Sequence, residues 1–417
     1  MKAVVFHGVG DIRLDEIPEP HLEQPTDAIV RITLSAICGT DLHMVRGTMP
    51  GMRKGTVLGH EGVGVVEEVG PEVRNFRPGD RVVVASTIAC GACVYCRAGY
   101  YAQCDVANPN GPLAGTAFFG GPESSGPFHG LQAEKVRVPF AHVGLVPLPD
   151  SVSDDQAILL SDMFPTGYMG AELAEVRPGD TVAVFGCGPV GQFAIASAKM
   201  LGAGRVFAVD GVPDRLEAAG HQGAECIDFN QEDPVEAIRR LTRGSGCDRA
   251  IDAVGVDAER PRTGPAAEKA DAEEGEFKEE IDELAPRTHP DGLNWHPGDA
   301  PSLALMWAVD ALAKAGTLSI VGVYPPRARD FPIGKAMMKN LTVQMGNCHH
   351  RRYIPPLLEK VRAGAVDPLA ILPRHVAFGS AIDAYRAFDA RKAGWMKVEL
   401  DVSEGSNGYD TEAPFAD

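Results

Sequence analysis

The chain has 417 residues, 44% of them hydrophobic, and a formal net charge of −18. That acidity excludes nucleic acid and anionic membrane surfaces as natural partners, and no apolar run approaches the length that spans a bilayer. The length leaves room for two domains with well-buried cores. The opening MKAVVFHGVGD has no basic start followed by an apolar stretch, so no secretory signal is read and a cytoplasmic, reducing location is expected.

Residues 1–150 read as short strands separated by turns, MKAVVFH, AIVRITLSAI, GVGVVEEVG, DRVVVAS and EKVRVP with turn signals such as RPGD between them, and belong to a first domain taken as 1–160. Within this β-rich domain, at about 88–106, Cys90, Cys93, Cys96 and Cys104 crowd together in a chain that uses only nine cysteines. The cluster is a disulfide knot, a metal site or chance. In a long, cysteine-poor chain the metal or redox reading comes first. Four thiolates at this spacing complete a tetrahedral shell around zinc and leave no open position, so a structural zinc is expected.

The pattern changes near Ser151. SDDQAILLSDMFPTGYMGAELAEV is helical in spacing and opens on a Ser/Asp cap. DTVAVFGCGPVGQFAIASAKMLGAGRVFAVD then gives an apolar strand, a glycine turn, a helix and a second strand ending in Asp210, which is a βαβ unit. CDRAIDAVG and GTLSIVGVY read as later strands of the same parallel sheet, with PSLALMWAVDALAKA (301–315) as the helix before the last of them. Residues 161–325 thus form a second domain, and 326–417 a mixed C-terminal segment. The stretch 257–300 interrupts the second domain with thirteen acidic and five basic residues, a local balance of −8. It reads as a surface insertion, a solvated helix or disordered loop followed by the loop-like PRTHPDGLNWHPGDAP; a flap or a subunit contact is the functional alternative.

Gly186, Gly188 and Gly191 form G-x-G-x-x-G in GCGPVG, with Pro189 and Val190 inside the turn. The motif follows an apolar strand, opens a helix, and has Asp210 at the end of the next strand, the context that makes it a dinucleotide signal. The helix N-terminus would face the phosphates. Asp210 would accept hydrogen bonds from the adenosine ribose and repel a 2′-phosphate, so NAD is expected over NADP. Arg215 is the contrary sign, because an arginine there can face a phosphate.

A second constellation is dispersed: AICGTDLH, GHEGVGVVEEVG and LLSDMFPTGY carry Cys38, His60 and Asp162, each able to ligate zinc. Taken singly, Cys38 reads as core, His60 as a turn residue and Asp162 as a helix cap. GHEGVGVVEEVGPEV, the cysteine motif before it, the four-cysteine lobe and the later glycine turn together resemble the zinc-containing alcohol dehydrogenases of the medium-chain dehydrogenase/reductase superfamily, over roughly 1–255 and 301–400. CGTDLHMVRG and LSDMFPTGY resemble the glutathione-independent formaldehyde dehydrogenase branch.

The resemblance implies an α/β protein: a GroES-like, β-rich catalytic domain formed by both ends of the chain, and a Rossmann domain, a doubly wound parallel sheet, between them. It implies two Zn²⁺ per chain, one structural and one catalytic on Cys38, His60 and Asp162, with Glu61 close behind the catalytic ion. Thr40 would contact the substrate hydroxyl, His43 would end a proton relay, and Lys397 would stand near the pyrophosphate. The implied reaction moves a hydride between a small-molecule alcohol or aldehyde hydrate and NAD, zinc favouring the ionised alcohol. A polyol, sugar or amino-alcohol dehydrogenase of the same superfamily and a non-catalytic NAD-binding relic are the alternatives. Ser86 departs from the pattern: the family often has an aromatic residue there, and serine implies a wider or more polar pocket. A homo-oligomer, dimer or tetramer, is expected.

Overall fold

The five runs read as strands in the first 150 residues all pair as strands in the computed structural model, which describes residues 1–285, 295, 297–371 and 374–403. The chain divides into two compact units. One contains Met1–Pro165, Trp295 and the described residues after 347; the other contains 166–285 and 297–347.

The first unit is built on a seven-stranded sheet with an added pairing. Its central strand Ala28–Ile37 is antiparallel to Gly62–Val69, Lys135–Val138 and Val398–Asp401, so the C-terminal segment closes the N-terminal sheet. Helix Gly39–Arg46 follows that strand directly. Its last residue, Arg46, makes a buried ion pair at 2.6 Å with Asp389 of helix Ala381–Asp389, 343 residues away, and ties the two ends of the chain together. The single helix read over SDDQAILLSDMFPTGYMGAELAEV is two helices, Asp154–Ser161 and Met163–Leu173. Ser153 caps the first in a reciprocal box with Gln156. The break falls on Asp162, at φ −145° and ψ −63°, outside helical geometry.

The second unit carries a six-stranded, all-parallel sheet in the order Glu225–Asp228, Arg205–Asp210, Thr181–Phe185, Cys247–Asp252, Leu312–Ile320 and Thr342–Met345. This is the doubly wound order of a Rossmann sheet, reversing between the Thr181–Phe185 and Cys247–Asp252 strands. Alternate residues feed opposite cores. Val182, Val184, Val206, Ala208 and Ile251 pack on one face, and Ala183, Phe185, Phe207, Val209 and Ala250 on the other. Cys187 and Cys247 are fully buried in these cores as packing residues.

Three expectations change. Helix 301–315 ends at Ala311, and the last central strand starts at Leu312; a register shift follows before pairing resumes at Thr317, with Ala315 at φ +61°. Thr342–Met345 still belongs to the parallel sheet, so the return to the first unit comes at Cys348 rather than near 326. The acidic insertion takes the helical alternative of its reading where it is described, but one face is packed rather than solvated. It forms helices Pro265–Ala272 and Glu274–Leu284, whose Ala270 and Phe277 pack with Ala300 and Leu303. Lys269 bridges Asp233 and Glu236 at 2.8 and 2.7 Å. Trp295 is buried in the core of the first unit. The loop reading of 286–294 and the tail after 403 lie outside the described residues. Among the described residues no helix is long and apolar enough to cross a membrane.

Candidate active site

The four-cysteine lobe closes on itself. The sulfurs of Cys90, Cys93, Cys96 and Cys104 lie within 4.8 Å of one another, and all four are free thiols. Cys93 Sγ and Cys104 Sγ are 3.9 Å apart. That is nearly twice a disulfide bond, and close to the ~3.8 Å edge of a tetrahedron with zinc–sulfur bonds of about 2.3 Å. Backbone N–H groups point at the sulfurs: Cys90 N donates to Cys104 Sγ at 3.3 Å, Cys93 N to Cys90 Sγ at 3.4 Å, and Ala107 N to Cys104 Sγ at 3.3 Å. Burial opposes ionisation of Cys93, but the N–H donors of Cys96 and Asp105 outweigh it and lower its pKa to about 7. A short helix, Val94–Arg97, lets Cys93 and Cys96 face the same centre.

The dispersed constellation also converges. Ligand atoms of Cys38, His60, Glu61 and Asp162 all lie within 4.8 Å of one another, and all four residues are buried. Asp162 Oδ2 is 3.9 Å from Cys38 Sγ and 3.7 Å from His60 Nε2. A tetrahedral zinc would set these separations at about 3.6 and 3.4 Å, so a small contraction completes the shell. Glu61 Oε1 is buried without a hydrogen-bond partner and stands in the same group. The donor set and this orphaned oxygen fit a divalent ion.

Each candidate ligand is fixed locally. Cys38 follows the last residue of the central strand and caps helix Gly39–Arg46; its N–H donates to Asp41 Oδ2 at 2.9 Å. Asp41 Oδ1 lies 3.0 Å from His60 Nδ1, which carries the hydrogen toward the carboxylate and leaves Nε2 directed at Asp162. Gln132 Nε2 donates to Asp41 Oδ2 at 3.3 Å, and Tyr385 O–H donates to Gln132 Oε1 at 2.7 Å. Gly59, at φ +90°, lets the chain reach His60 over that glutamine: a Cβ there would come within 2.5 Å of Gln132 Cγ. His350 holds the other face of Asp162, Nε2 to Oδ1 at 2.6 Å, and its Nδ1 sits 3.2 Å from Thr87 Oγ1.

The electrostatics follow. Burial pushes the Cys38 thiol up. Burial opposes the His60 cation, yet Asp41 and Cys38 hold its pKa well above the usual value. Burial likewise opposes the Asp162 anion, and His350 and His60 overcome it and pull its pKa well down. Lys397, read from the sequence as a group near the pyrophosphate, is fully buried in the first unit. Its ammonium donates to Glu61 Oε2 at 2.5 Å and to the Ile37 carbonyl at 2.9 Å. As placed, it is the counter-charge to Glu61.

Thr40 is half-buried in the first turn of helix Gly39–Arg46, two residues from Cys38. His43, on the same helix, is buried, with Nδ1 3.2 Å from Thr48 Oγ1. Asp41, Gln132, Tyr385, Thr87 and His350 were not singled out in the sequence. Asp41 had a local signal, an acid three residues after a candidate ligand; the other four had none.

In the second unit, Gly186 turns the chain at φ +85°, and Gly191 packs against it so closely that a Cβ would meet the Gly186 carbonyl oxygen at 1.9 Å. Helix Pro189–Met200 starts there with Gly188 as its cap and Pro189 and Val190 in its first turn. Asp210 Oδ2 accepts the Cys187 N–H at 2.7 Å, and Oδ1 accepts those of Gly211 and Val212 at 2.8 and 2.9 Å. Arg215 comes within 3.7 Å of Asp210 Oδ2. The turn and its acid thus form one hydrogen-bonded unit.

Comparison with known proteins agrees with this architecture. The family model described as alcohol dehydrogenase GroES-like domain matches residues 24–150, and that described as zinc-binding dehydrogenase matches 189–261. The zinc-type alcohol dehydrogenase-like protein AdhB of Bacillus subtilis is 35% identical over 404 residues, 96% of this chain and 100% of that protein. The structure of alcohol dehydrogenase TADH from Thermus sp. ATN1 superposes with a TM-score of 0.77 at 34% identity, covering 96% of this chain and 99% of the other. The glutathione-independent formaldehyde dehydrogenase of Pseudomonas aeruginosa is 38% identical over 332 residues, 76% of this chain and 80% of that protein, so likeness to that branch spans less of the sequence. The chain belongs to the zinc-type alcohol dehydrogenase family, and is a zinc-dependent oxidoreductase made of a GroES-like unit and a Rossmann-type unit.

Proposed function

We propose that this protein transfers a hydride between a small-molecule alcohol, or aldehyde hydrate, and NAD, using one catalytic and one structural zinc. The observation that carries the reading is the convergence of Cys38 Sγ, His60 Nε2 and Asp162 Oδ2, three donors that leave a fourth position for substrate. Zinc bound there supplies a Lewis acid that favours the ionised form of an alcohol oxygen, and NAD supplies the hydride acceptor. The chain's own residues do the rest. Asp41 fixes the tautomer of His60, His350 fixes the orientation of Asp162, and Lys397 balances Glu61. Thr40 receives the hydroxyl proton of the substrate as it releases its own, and His43, the last member of the relay, carries a proton out to solvent.

NAD is favoured because Asp210 keeps its carboxylate at the end of the second strand beside the glycine turn, where a 2′-phosphate would meet its charge. Ser86, small and buried, favours a polyol or amino-alcohol substrate as the second reading. A homo-oligomer is supported by exposed apolar groups along one edge of the second unit. Met345 lies on the edge strand at 62% exposure, and Met337 and Met338 of helix Ile333–Met338 at 72% and 85%.

The test is NADH absorbance at neutral pH with zinc-loaded protein and a panel of primary, secondary and polyhydric alcohols, repeated with NADP. Turnover that needs zinc and prefers NAD supports the proposal. Two tightly held zincs with no turnover on any alcohol or aldehyde would return the protein to the relic reading.

A further inference from the structure

Glu399 has no place in the site just described. It stands on strand Val398–Asp401 with its side chain 0% exposed, and neither carboxyl oxygen has a hydrogen-bond partner. A carboxyl removed from water and left without partners is costly, and such groups call for an explanation.

Two further groups face it. His375 is its direct register partner in the parallel pairing of Arg374–Ala377 with Val398–Asp401, and His375 Nε2 lies 3.4 Å from Glu399 Oε2. Asp155 comes from the first turn of helix Asp154–Ser161. One ligand atom from each of the three lies within 4.8 Å of the other two. Burial, and after it the charge of Asp155, push the Glu399 carboxyl up to about 9. The neighbouring cation on the same strand, Lys397, is engaged by Glu61. Two carboxyls and an imidazole therefore meet with no hydrogen bond to satisfy the buried one.

We propose that Asp155, His375 and Glu399 form a third metal site, for a borderline divalent cation of the Zn²⁺ type. One imidazole nitrogen and two carboxylate oxygens are donors such an ion accepts, and three protein ligands leave room for water. His375 Nε2 and Glu399 Oε2 already stand at the ~3.4 Å spacing of a closed zinc shell, and a ligand atom of Asp155 lies within 4.8 Å of both residues' donors. Asp155 is half-buried and His375 exposed, so these are the side chains that can move inward. The exposure also lets the ion exchange with solvent, unlike the buried Cys38 set. Arg374–Ala377 is the edge strand of the first unit's sheet, and Asp155 precedes Asp162 on the helix that ends at that ligand. A cation here would tie that helix to the sheet edge and stabilise the unit by linkage.

The experiment uses protein already loaded with zinc and desalted. Zn²⁺ is titrated into the wild type, His375→Ala and Glu399→Gln, and followed by calorimetry, bound metal per chain and melting temperature. The wild type should take up one more ion than His375→Ala and melt higher as zinc is added. Losing a ligand should weaken this uptake at least as much as losing an outer-shell partner does, about 10–100-fold. His375→Ala changes an exposed side chain and should fold normally, so a folding defect in Glu399→Gln would not spoil the comparison. If the wild type takes up no further zinc, or if His375→Ala takes up the same number with the same affinity, the site does not exist. Because the readout is the difference between variants, it is independent of whether the enzyme turns over alcohol.

Discussion

Asp41→Asn tests whether the orientation of His60, and not merely its presence, makes the metal site. Three N–H donors converge on the two carboxylate oxygens: Cys38 N at 2.9 Å and Gln132 Nε2 at 3.3 Å on Oδ2, and His60 Nδ1 at 3.0 Å on Oδ1. Asparagine has nearly the same shape but only one accepting oxygen. If that oxygen serves Cys38 and Gln132, the amide NH₂ faces His60 Nδ1 and moves the ring hydrogen to Nε2, where the metal should bind. If the amide is flipped, two N–H donors face an NH₂. Either arrangement leaves a buried mismatch worth about 1–3 kcal/mol. Losing an outer-shell partner of a metal ligand typically costs about 10–100-fold in affinity, or about 1.4–2.8 kcal/mol. The two estimates agree. Zinc affinity at this site should fall by that factor, measured by competition with a chromophoric chelator, while the four-cysteine lobe keeps its ion. A variant that holds both zincs with wild-type affinity and turns over at the wild-type rate would show that Asp41 does not set the tautomer.

Cys93→Ser should release one zinc, lower the melting temperature and leave the Cys38 site loaded; bound zinc counted beside a thermal melt checks it, and an unchanged melt at full zinc content would contradict the structural role. Asp210→Ala should narrow the preference for NAD over NADP, read as the ratio of kcat/KM values, because the charge facing a 2′-phosphate is removed; a wild type that uses both equally would sink the assignment. In metal-free protein, His350 carries its pKa up to about 10 against the ordinary 6.5: burial opposes the cation, but Cys348 and Asp162 outweigh it. The folded state then binds a proton the unfolded state has released, so this stabilisation is complete below about 6.5 and is lost as pH rises toward about 10. Urea melts across that window should show the decline in wild type and a flatter profile in His350→Gln; equal slopes would remove His350 from the account.

What could be read in the sequence was what short stretches encode. The strands of the first unit, the βαβ core and the four-cysteine lobe each depend on residues within about one element of one another, and their periodicity or spacing states the geometry. Boundaries were read less well. PSLALMWAVDALAKA has helical spacing throughout, yet the helix stops at Ala311 because the chain then pairs at Leu312 beside Cys247. Helical spacing also runs through Asp162, and the break there appears only once its carboxylate is bound between His60 and His350. Trp295 gave no sign of belonging to the core of the first unit, since the residues around it are polar and loop-like.

The proposed metal ligands are legible through motif order, but the charge balance around them is not. From the sequence, a thiolate and a carboxylate neutralise a dication, and the accounting stops. The structure shows two more buried acids, Asp41 and Glu61, the second of which the resemblance already placed near the ion, and two buried bases, His350 and Lys397. These pair across long gaps in the sequence: His350 with Asp162 over 188 residues and Lys397 with Glu61 over 336. With His350 and Lys397 protonated and Asp41 and Glu61 ionised, the added charges cancel, and the site with its dication stays formally neutral. Removing one member therefore uncovers a buried charge as well as a contact, and the larger part of any loss belongs to the partner left behind. Lys397→Met alone should harm the protein more than Lys397→Met combined with Glu61→Gln. A double-mutant cycle on metal content and stability separates the two contributions, and strict additivity would mean that the pair is not coupled as its geometry requires.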